Sequence, residues 1–261
     1  MFDYHMHSKI SFDSQSEPAD MVAAAERAGL KEICFTDHFD YYDEPRVLAG
    51  SWDIEKYKSA YGALSSDRLK IRRGVEFGLT VWDKDELTNL TSTYDFDFVI
   101  GSVHYIRDQD PYVKEYWEGR TVEQAFEEYV MKVLECVKSG AGFDVLGHIN
   151  YVCKSPNNPT RAPLHYYMFS DIFDEIMKTL AQNGQGMEIN TSGIDRCGIF
   201  LPTVDFIKRF RELGGEIITV GSDSHVPENV GKYIDGALEI AKETFGYVCT
   251  FEQRKPIFHK L

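Results

Sequence analysis

The 261-residue sequence predicts an α/β fold in which short strands alternate with longer helices around a parallel sheet. Short apolar runs alternate with longer amphipathic runs from end to end, and they make up seven strand-helix units. Six of the eight histidines fall where a predicted strand ends or just after it. Barrels of alternating strands and helices commonly run to about 250 residues as one unit. Because no Pro- or Ser-rich linker divides the chain, we expect a single domain over residues 1–261.

The predicted strands are short, contain β-branched or aromatic residues, and are bounded by polar residues or glycine. They span residues 3–7, 32–36, 70–76, 96–104, 144–148, 187–190 and 216–222.

Amphipathic periodicity predicts helices between these strands. The clearest helix spans residues 121–139, where Thr121 and Gln124 form a capping-box signature and Gly140 ends the helix. A second helix is predicted to carry Pro202 in its first turn. The other predicted helices span residues 17–28, 53–66, 163–183 and 231–245.

The charge balance excludes one class of function. Acidic residues outnumber basic ones by 42 to 28, and the net charge of −14 is the wrong sign for a protein that wraps a polyphosphate backbone. We therefore expect no nucleic-acid partner. A small phosphorylated substrate remains compatible with this charge, because bound metals and local cations reverse the potential inside a cleft.

The sequence also bears on the cellular compartment. No run free of charged residues is long enough to span a membrane, and the N-terminus lacks the basic and apolar segments of a secretory signal. The five cysteines are scattered and form no C-x-x-C pair, which favours reduced thiols. We expect a cytoplasmic protein with no membrane partner, and the sequence leaves its oligomeric state open.

Polar residues at the predicted strand ends form a candidate metal site. They are His5, His7, His38, Glu76, His104, His148, Asp223 and His225. The C-terminal ends of the strands of a parallel barrel meet on one face, so these side chains are expected to converge. Histidine and carboxylate ligands without cysteine suit Zn²⁺, Mn²⁺ or Fe²⁺. The alternative for any single member is a hydrogen-bonded core histidine, but burying so many titratable groups unpaired would be costly.

Six short segments carry these residues in order along the chain. They are His5-Met6-His7, Thr36-Asp37-His38, Glu76, Ser102-Val103-His104, Gly147-His148 and Ser222-Asp223-Ser224-His225. This ordered set resembles the motifs of the PHP (polymerase and histidinol phosphatase) superfamily, and the chain length resembles that of the histidinol-phosphate phosphatase branch. The resemblance implies a distorted (β/α)7 barrel with two or three divalent metal ions.

The resemblance also implies which residues bind each ion. The ligands implied for the first ion are His5, His7, Glu76 and Asp223. Those implied for the second, which Glu76 bridges to the first, are Glu76, His104 and His148. Those implied for the third are Asp13, His38 and His225. Many members of the superfamily have histidine where this chain has Asp13, and the alternative for Asp13 is an ordinary loop residue.

Adjacent divalent ions suit the hydrolysis of phosphate monoesters. Our hypothesis is that a hydroxide bridging the metals attacks phosphorus, so that no serine or cysteine intermediate forms. Asp223 and His225 are the candidate catalytic residues. Asp223 would orient the water or manage its proton, and a purely ligating role is the alternative. The resemblance implies that the substrate is L-histidinol phosphate, in histidine biosynthesis.

Two loop arginines are candidate phosphate ligands, Arg161 after the fifth strand and Arg196 after the sixth. The alternative for each is an ordinary surface arginine. The candidates for stacking on an imidazole are Tyr112, Tyr116 and Trp117. The alternative for these aromatic residues is that they pack their loop onto the rim of the barrel. The candidates for binding an ammonium group are Asp40, Asp43 and Glu44.

Three other functions remain open from sequence. The same cluster suits a PHP phosphoesterase that acts on nucleotides, oligonucleotide ends or phosphotyrosine. An amidohydrolase-type barrel also begins with H-x-H, although it generally needs an eighth strand and different ligand spacing. A catalytically silent metal-binding or polymerase-associated module is the third, and the intact ligand set argues against it.

Overall fold

The structure is a computed structural model that describes residues 1–41, 53–82, 84–107 and 109–261. The strands of the main sheet are β1 (Phe2–Met6), β2 (Glu32–Phe35), β3 (His38–Phe39), β4 (Lys70–Gly78), β5 (Phe98–Ser102), β6 (Val145–Leu146), β7 (Gly186–Asn190) and β8 (Ile218–Gly221). The helices are α1 (Pro18–Arg27), α2 (Ile54–Gly62), α3 (Lys84–Thr93), α4 (Lys114–Trp117), α5 (Val122–Lys138), α6 (Ser170–Gln182), α7 (Gly193–Cys197), α8 (Val204–Glu212) and α9 (Ile234–Thr244).

The main sheet is parallel throughout, in the order β1-β2-β4-β5-β6-β7-β8 with β3 also paired to β4. Strand β3 continues β2 in the same register along β4, since Phe35 lies opposite Arg73 and His38 lies opposite Glu76. Together β2 and β3 form one interrupted strand of the barrel. The predicted α/β fold with seven strand positions is therefore confirmed.

The barrel closes where β1 meets the chain that leaves β8. The His7 N–H donates to the Ser224 carbonyl at 2.8 Å, and the Asp223 N–H donates to the His5 carbonyl at 2.7 Å. Gly221 permits this approach, because a Cβ there would lie 2.3 Å from the His5 Cβ. The closure joins the C-terminal ends of β1 and β8, and it places residues that are more than 200 positions apart in the sequence side by side.

The helices follow the predicted pattern with three differences. The capping box of α5 is present, with the Thr121 hydroxyl accepting from the Gln124 N–H. The helix predicted to carry Pro202 in its first turn begins at Val204 instead, with Thr203 as its N-cap. The predicted helix over 163–183 starts only at Ser170. The sequence did not predict α3, α4 or α7. None of the helices in the described ranges has the length and the apolar composition that a membrane span requires.

A C-terminal hairpin that the sequence did not predict covers a second, smaller hydrophobic core. It consists of β9 (Tyr247–Glu252) and β10 (Lys255–Lys260), paired antiparallel. Phe251 is 1% exposed, and its ring lies 4.7 Å from that of Phe98 on β5. The Tyr4 hydroxyl receives a hydrogen bond from the Phe251 N–H at 3.1 Å. The hairpin therefore stabilises the barrel through apolar packing.

We expect Phe251→Ala to lower the free energy of unfolding by about 3–5 kcal/mol, because it leaves a cavity in this second core. Phe258→Ala is the matched control on the same hairpin, since Phe258 is 52% exposed, and it should cost about 1 kcal/mol or less. Urea unfolding followed by circular dichroism measures both. Equal losses in the two variants would contradict a packing role for β9.

Candidate metal centre and active site

The candidate metal ligands surround the carboxylate of Glu76, which is fully buried on β4. Its Oε2 atom lies 3.1 Å from His5 Nε2 and 3.4 Å from His7 Nε2. Its Oε1 atom lies 2.9 Å from His148 Nε2 and 3.3 Å from His104 Nε2. The Oε2 atom also lies 3.3 Å from His38 Nδ1, so the two oxygens of one carboxylate face different sets of histidines.

Asp223 completes the group around His5 and His7. Its Oδ1 atom lies 3.8 Å from His5 Nε2 and 3.4 Å from His7 Nε2. Its Oδ2 atom accepts hydrogen bonds from the Lys154 ammonium and from the Ser192 hydroxyl. The Asp223 backbone has a φ of 53°, a left-handed conformation that aspartate tolerates better than most residues. The turn after β8 therefore directs one carboxylate oxygen to the histidines and the other to a cation.

A third group lies at the edge of this cluster. Asp13 Oδ2 is 3.4 Å from His38 Nε2 and 2.9 Å from His225 Nε2. The centroid of the His7 ring lies 4.3 Å from that of His38 and 4.1 Å from that of His225, and those two centroids are 5.9 Å apart. Asp13 and His225 are partly exposed, whereas His5, His7 and Glu76 are completely buried. The structure thus brings all nine candidate ligands together, with the third group nearest to solvent.

The chemistry of these atoms fits divalent metal ions. His5 Nε2, His7 Nε2 and Glu76 Oε2 are buried without a hydrogen-bond partner, although they face one another. Leaving such groups unpaired is costly, and a cation would satisfy all three at once. The described residues offer four sets of three donor atoms that lie within 4.8 Å of one another, namely His5, His7 and Asp223; His5, Glu76 and His148; His38, Asp40 and His104; and His7, His38 and His225.

Glu76 and His7 are already in the protonation states that metal ligation requires, whereas His5 is not. Burial raises the pKa of the Glu76 carboxyl, but the charges of His5, His104 and His38 outweigh it, and the net pKa lies well below its usual range. Burial and the neighbouring charges of His225 and His38 lower the pKa of His7 to about 3, so this imidazole is neutral. Burial disfavours a charged His5, but nearby carboxylates raise its pKa well above normal. Metal binding would therefore displace a proton from His5.

Glu188, which the sequence analysis missed, orients two of the ligands. It is buried on β7, and its Oε1 atom accepts from His5 Nδ1 at 2.6 Å. Its Oε2 atom accepts from the His148 backbone N–H at 3.0 Å. A carboxylate that holds the far nitrogen of a histidine orients the near nitrogen toward a metal. The signal in the sequence was an acidic residue inside an apolar strand, which cannot be buried without partners.

Asp40 also belongs to this cluster. It is 1% exposed, and its Oδ2 atom lies 3.0 Å from His104 Nδ1 and 3.3 Å from His38 Nδ1. The sequence analysis assigned it to an ammonium group, whereas the structure engages it with histidines. Asp43 and Glu44, the other candidates for that role, lie outside the described residues.

A cavity of about 550 Å³ opens onto the cluster. Arg196 on α7 lines it, as do Lys154 and Lys232, which the sequence analysis did not select. Arg161 is exposed and is not among the described residues that line the cavity. Of the two arginines predicted to bind phosphate, Arg196 lines the cavity and Arg161 does not.

The aromatic candidates divide in the same way. Tyr112 lines the cavity. Tyr116 is fully buried and Trp117 is 7% exposed, and the Trp117 indole N–H donates to the Pro111 carbonyl at 2.8 Å. Packing of the loop onto the barrel therefore accounts for Tyr116 and Trp117, and Tyr112 is the one of the three in contact with the cavity.

Comparison with known families agrees with this geometry. A family model for the PHP domain matches residues 3–192. The chain belongs to the PHP domain family. The matched range contains His5, His7, Glu76, His104 and His148, and Asp223 and His225 follow it.

Two full-length relatives and one solved structure resemble this PHP protein closely. A histidinol-phosphatase of Lactococcus lactis is 32% identical over 97% of this chain and 95% of its own. A probable histidinol-phosphatase of Clostridium acetobutylicum is 30% identical over 97% of this chain and 98% of its own. The crystal structure of a Lactococcus lactis histidinol phosphate phosphatase, complexed with zinc, L-histidinol and phosphate, has a TM-score of 0.88 and 31% identity, with 98% of each chain covered.

A second solved structure extends the likeness of fold. The putative histidinol phosphatase of Listeria monocytogenes has a TM-score of 0.73 at 18% identity and covers 90% of this PHP chain and 99% of its own. At this identity the likeness concerns the barrel alone.

We expect Glu188→Gln to weaken Zn²⁺ binding about 10- to 100-fold, because an amide holds His5 Nδ1 less strongly than a carboxylate does. Calorimetric titration of metal-depleted protein with Zn²⁺ measures the affinity. The matched control is Glu216→Gln, at an exposed position just before β8, which should bind Zn²⁺ as the unchanged protein does. Equal affinities in all three proteins would contradict the orienting role of Glu188.

Proposed function

We propose that this PHP protein is a metal-dependent phosphatase that hydrolyses L-histidinol phosphate to L-histidinol and phosphate. The observation that carries the proposal is one cavity of about 550 Å³ in which the histidine and carboxylate cluster meets the cation Arg196. The relatives named histidinol-phosphatase, at 30% and 32% identity over nearly the whole chain, support this substrate over other phosphate esters.

We propose two or three divalent ions, Zn²⁺, Mn²⁺ or Fe²⁺, as the cofactors. The first set of ligands is His5, His7, Glu76 and Asp223. The second is Glu76, His104 and His148, and the third is Asp13, His38 and His225. Divalent ions bound there would supply positive charge to the phosphoryl oxygens and would acidify water near neutral pH. The nitrogen and oxygen donors without cysteine support these metals.

Asp223 and His225 are the proposed catalytic residues. Asp223 combines a carboxylate oxygen that faces the histidines with one held by Lys154, so it is oriented to position the attacking water or to accept its proton. The Nδ1 atom of His225 lies 3.0 Å from the Asp223 carbonyl, which orients the imidazole at the edge of the cavity. Both residues follow the range 3–192 matched by the family model, so we propose that the whole chain acts as one catalytic unit.

The phosphate ester is proposed to bind through Arg196. Its guanidinium has no hydrogen bond or ion pair with any described residue, and a planar guanidinium suits bidentate contact with phosphate. Arg161 stays a prediction for the same role. A polymeric substrate is disfavoured by the net charge of −14, and among the described residues that line the cavity the acidic side chains outnumber the lysines and arginines.

A PHP phosphoesterase acting on a nucleotide or on phosphotyrosine is the second candidate. A probable phosphatase of Shewanella halifaxensis is 25% identical over 89% of this chain, so the family includes relatives named without reference to histidinol. The metal cluster suits either substrate, and the walls of the cavity must therefore decide between them.

The decisive measurement is phosphate release from L-histidinol phosphate beside nucleotides and aryl phosphates, by enzyme loaded with Zn²⁺, Mn²⁺ or Fe²⁺. We expect kcat/KM for L-histidinol phosphate to exceed kcat/KM for the nucleotides and aryl phosphates by at least about 100-fold, because one cavity would bind both its phosphate and its histidinol part. Comparable values across the panel would contradict the proposed substrate and favour the general phosphoesterase.

We expect Arg196→Leu to lower kcat/KM about 10- to 100-fold, because it removes a charge-assisted contact with phosphate. Steady-state kinetics with L-histidinol phosphate measures the effect. Arg161→Leu separates the two arginine predictions. A loss in both variants would support a two-arginine clamp, and a loss in Arg196→Leu alone would remove Arg161 from the site. Unchanged kinetics in Arg196→Leu would remove Arg196.

A further inference from the structure

The acidic residues that line the cavity differ in what they contact. Four of them belong to the histidine cluster described above, namely Asp13, Asp40, Glu76 and Asp223. Asp195 lies outside that cluster, but it is paired with the Lys232 ammonium at 2.5 Å and accepts from the Tyr233 hydroxyl at 2.9 Å. Asp110 remains, and no described residue forms an ion pair with it.

Asp110 is held so that one of its oxygens stays available. Its Oδ1 atom accepts from the Tyr112 backbone N–H at 2.7 Å and from the Tyr151 hydroxyl at 3.4 Å. No described residue donates a hydrogen bond to its Oδ2 atom. Desolvation of this half-buried carboxyl raises its pKa, so a cation beside it would be favourable. The loop between β5 and α4 therefore presents one carboxylate oxygen, Asp110 Oδ2, that is available to contact a cation.

Two aromatic rings accompany this carboxylate. The rings of Tyr112 and Tyr151 stack with centroids 5.8 Å apart. The Tyr151 ring also lies 5.1 Å from the rings of His104 and His148. The surface of Asp110, Tyr112 and Tyr151, which we call the acidic aromatic wall, thus begins directly beside the metal cluster. Aromatic faces next to a carboxylate suit a protonated amine or a flat cationic ring.

The basic residues of the cavity show the complementary arrangement. Lys154 is paired with Asp223, and Lys232 is paired with Asp195. Arg196 has no such partner among the described residues. Leaving aside the histidine cluster, the unpaired charges among the described residues that line the cavity are therefore one cation after β7 and one anion after β5. A substrate that neutralises both must carry a negative group and a positive group.

We propose that Asp110 is a specificity-determining residue that binds the cationic group of the substrate's alcohol moiety, with Tyr112 and Tyr151 contacting that group from the side. This inference rests on the proposed phosphatase function and deepens it. Asp110 restricts the enzyme to phosphate monoesters whose alcohol part carries a protonated amine or an imidazolium. Phosphate esters without a cation bind the same centre but gain no binding energy from the acidic aromatic wall.

The test is the Asp110→Asn variant, because its amide oxygen still accepts from Tyr112 and Tyr151 while the charge is lost. We compare kcat/KM of variant and wild type on L-histidinol phosphate, on O-phosphoethanolamine and on phenyl phosphate, which lacks a cation. We expect losses of about 10- to 100-fold for the two cationic esters and less than about 2-fold for phenyl phosphate. Metal content is measured in parallel and should not change.

Asp195→Asn is the matched control, since it removes an acidic charge of the same cavity that is already paired. Its effect, through the released Lys232, should be similar for cationic and uncharged esters. Calorimetry with L-histidinol alone gives a second measurement that needs no turnover. Asp110→Asn should weaken this binding about 10-fold, whereas Asp195→Asn should leave it unchanged.

The outcomes separate this inference from the proposed function. Equal effects of Asp110→Asn on cationic and uncharged esters, or unchanged binding of L-histidinol, would overturn the role of Asp110. A wild-type enzyme that prefers O-phosphoethanolamine to L-histidinol phosphate, with Asp110→Asn slowing both cationic esters and sparing phenyl phosphate, would contradict the proposed substrate but support the inference. A wild-type enzyme that prefers L-histidinol phosphate to phenyl phosphate, and keeps that preference undiminished in Asp110→Asn, would support the proposed substrate but overturn the inference.

Discussion

The buried carboxylate of Glu76 is the constraint on which the rest of the site depends. Its two oxygens face different sets of histidines, so it must stay ionised and stay in place. An isolated carboxylate at such depth would be strongly disfavoured, and its position is tolerable because imidazoles or cations surround it. The barrel supplies that surrounding, since each neighbouring strand brings at least one histidine or carboxylate to the same end.

Two features outside the ligand set keep this arrangement in order. The closure between β1 and β8 joins His5 and His7 to Asp223 through backbone hydrogen bonds, so the first group of ligands depends on the barrel being complete. Glu188 then fixes the His5 ring and the backbone of His148 with its two oxygens. The cluster is thus held by a buried polar network, in which each satisfied contact limits the movement of the next.

The proposed recognition of substrate is divided between two segments of the cavity wall. Arg196 follows β7 and Asp110 follows β5, so each loop adds one charge to a centre that the strands build. Loops can change without disturbing the barrel, which is how one metal centre serves different phosphate esters within a family. In the proposed function the barrel supplies the metal ligands, and these loops determine which alcohol is released.

The sequence by itself determined the seven strand-helix units and eight candidate ligands at strand ends, because hydrophobic periodicity is local and a histidine at a strand end is visible without coordinates. The ninth candidate, Asp13, came only from the resemblance to the PHP superfamily. It could not determine the partners of Glu188, Asp40 and Asp110, since each depends on residues far away along the chain. It also placed Arg161 and Arg196 on equal terms, although only Arg196 lines the cavity. The tertiary structure decided these points, because the direction of a side chain and the pairing of its charge follow from how the strands close and how the loops cross their ends.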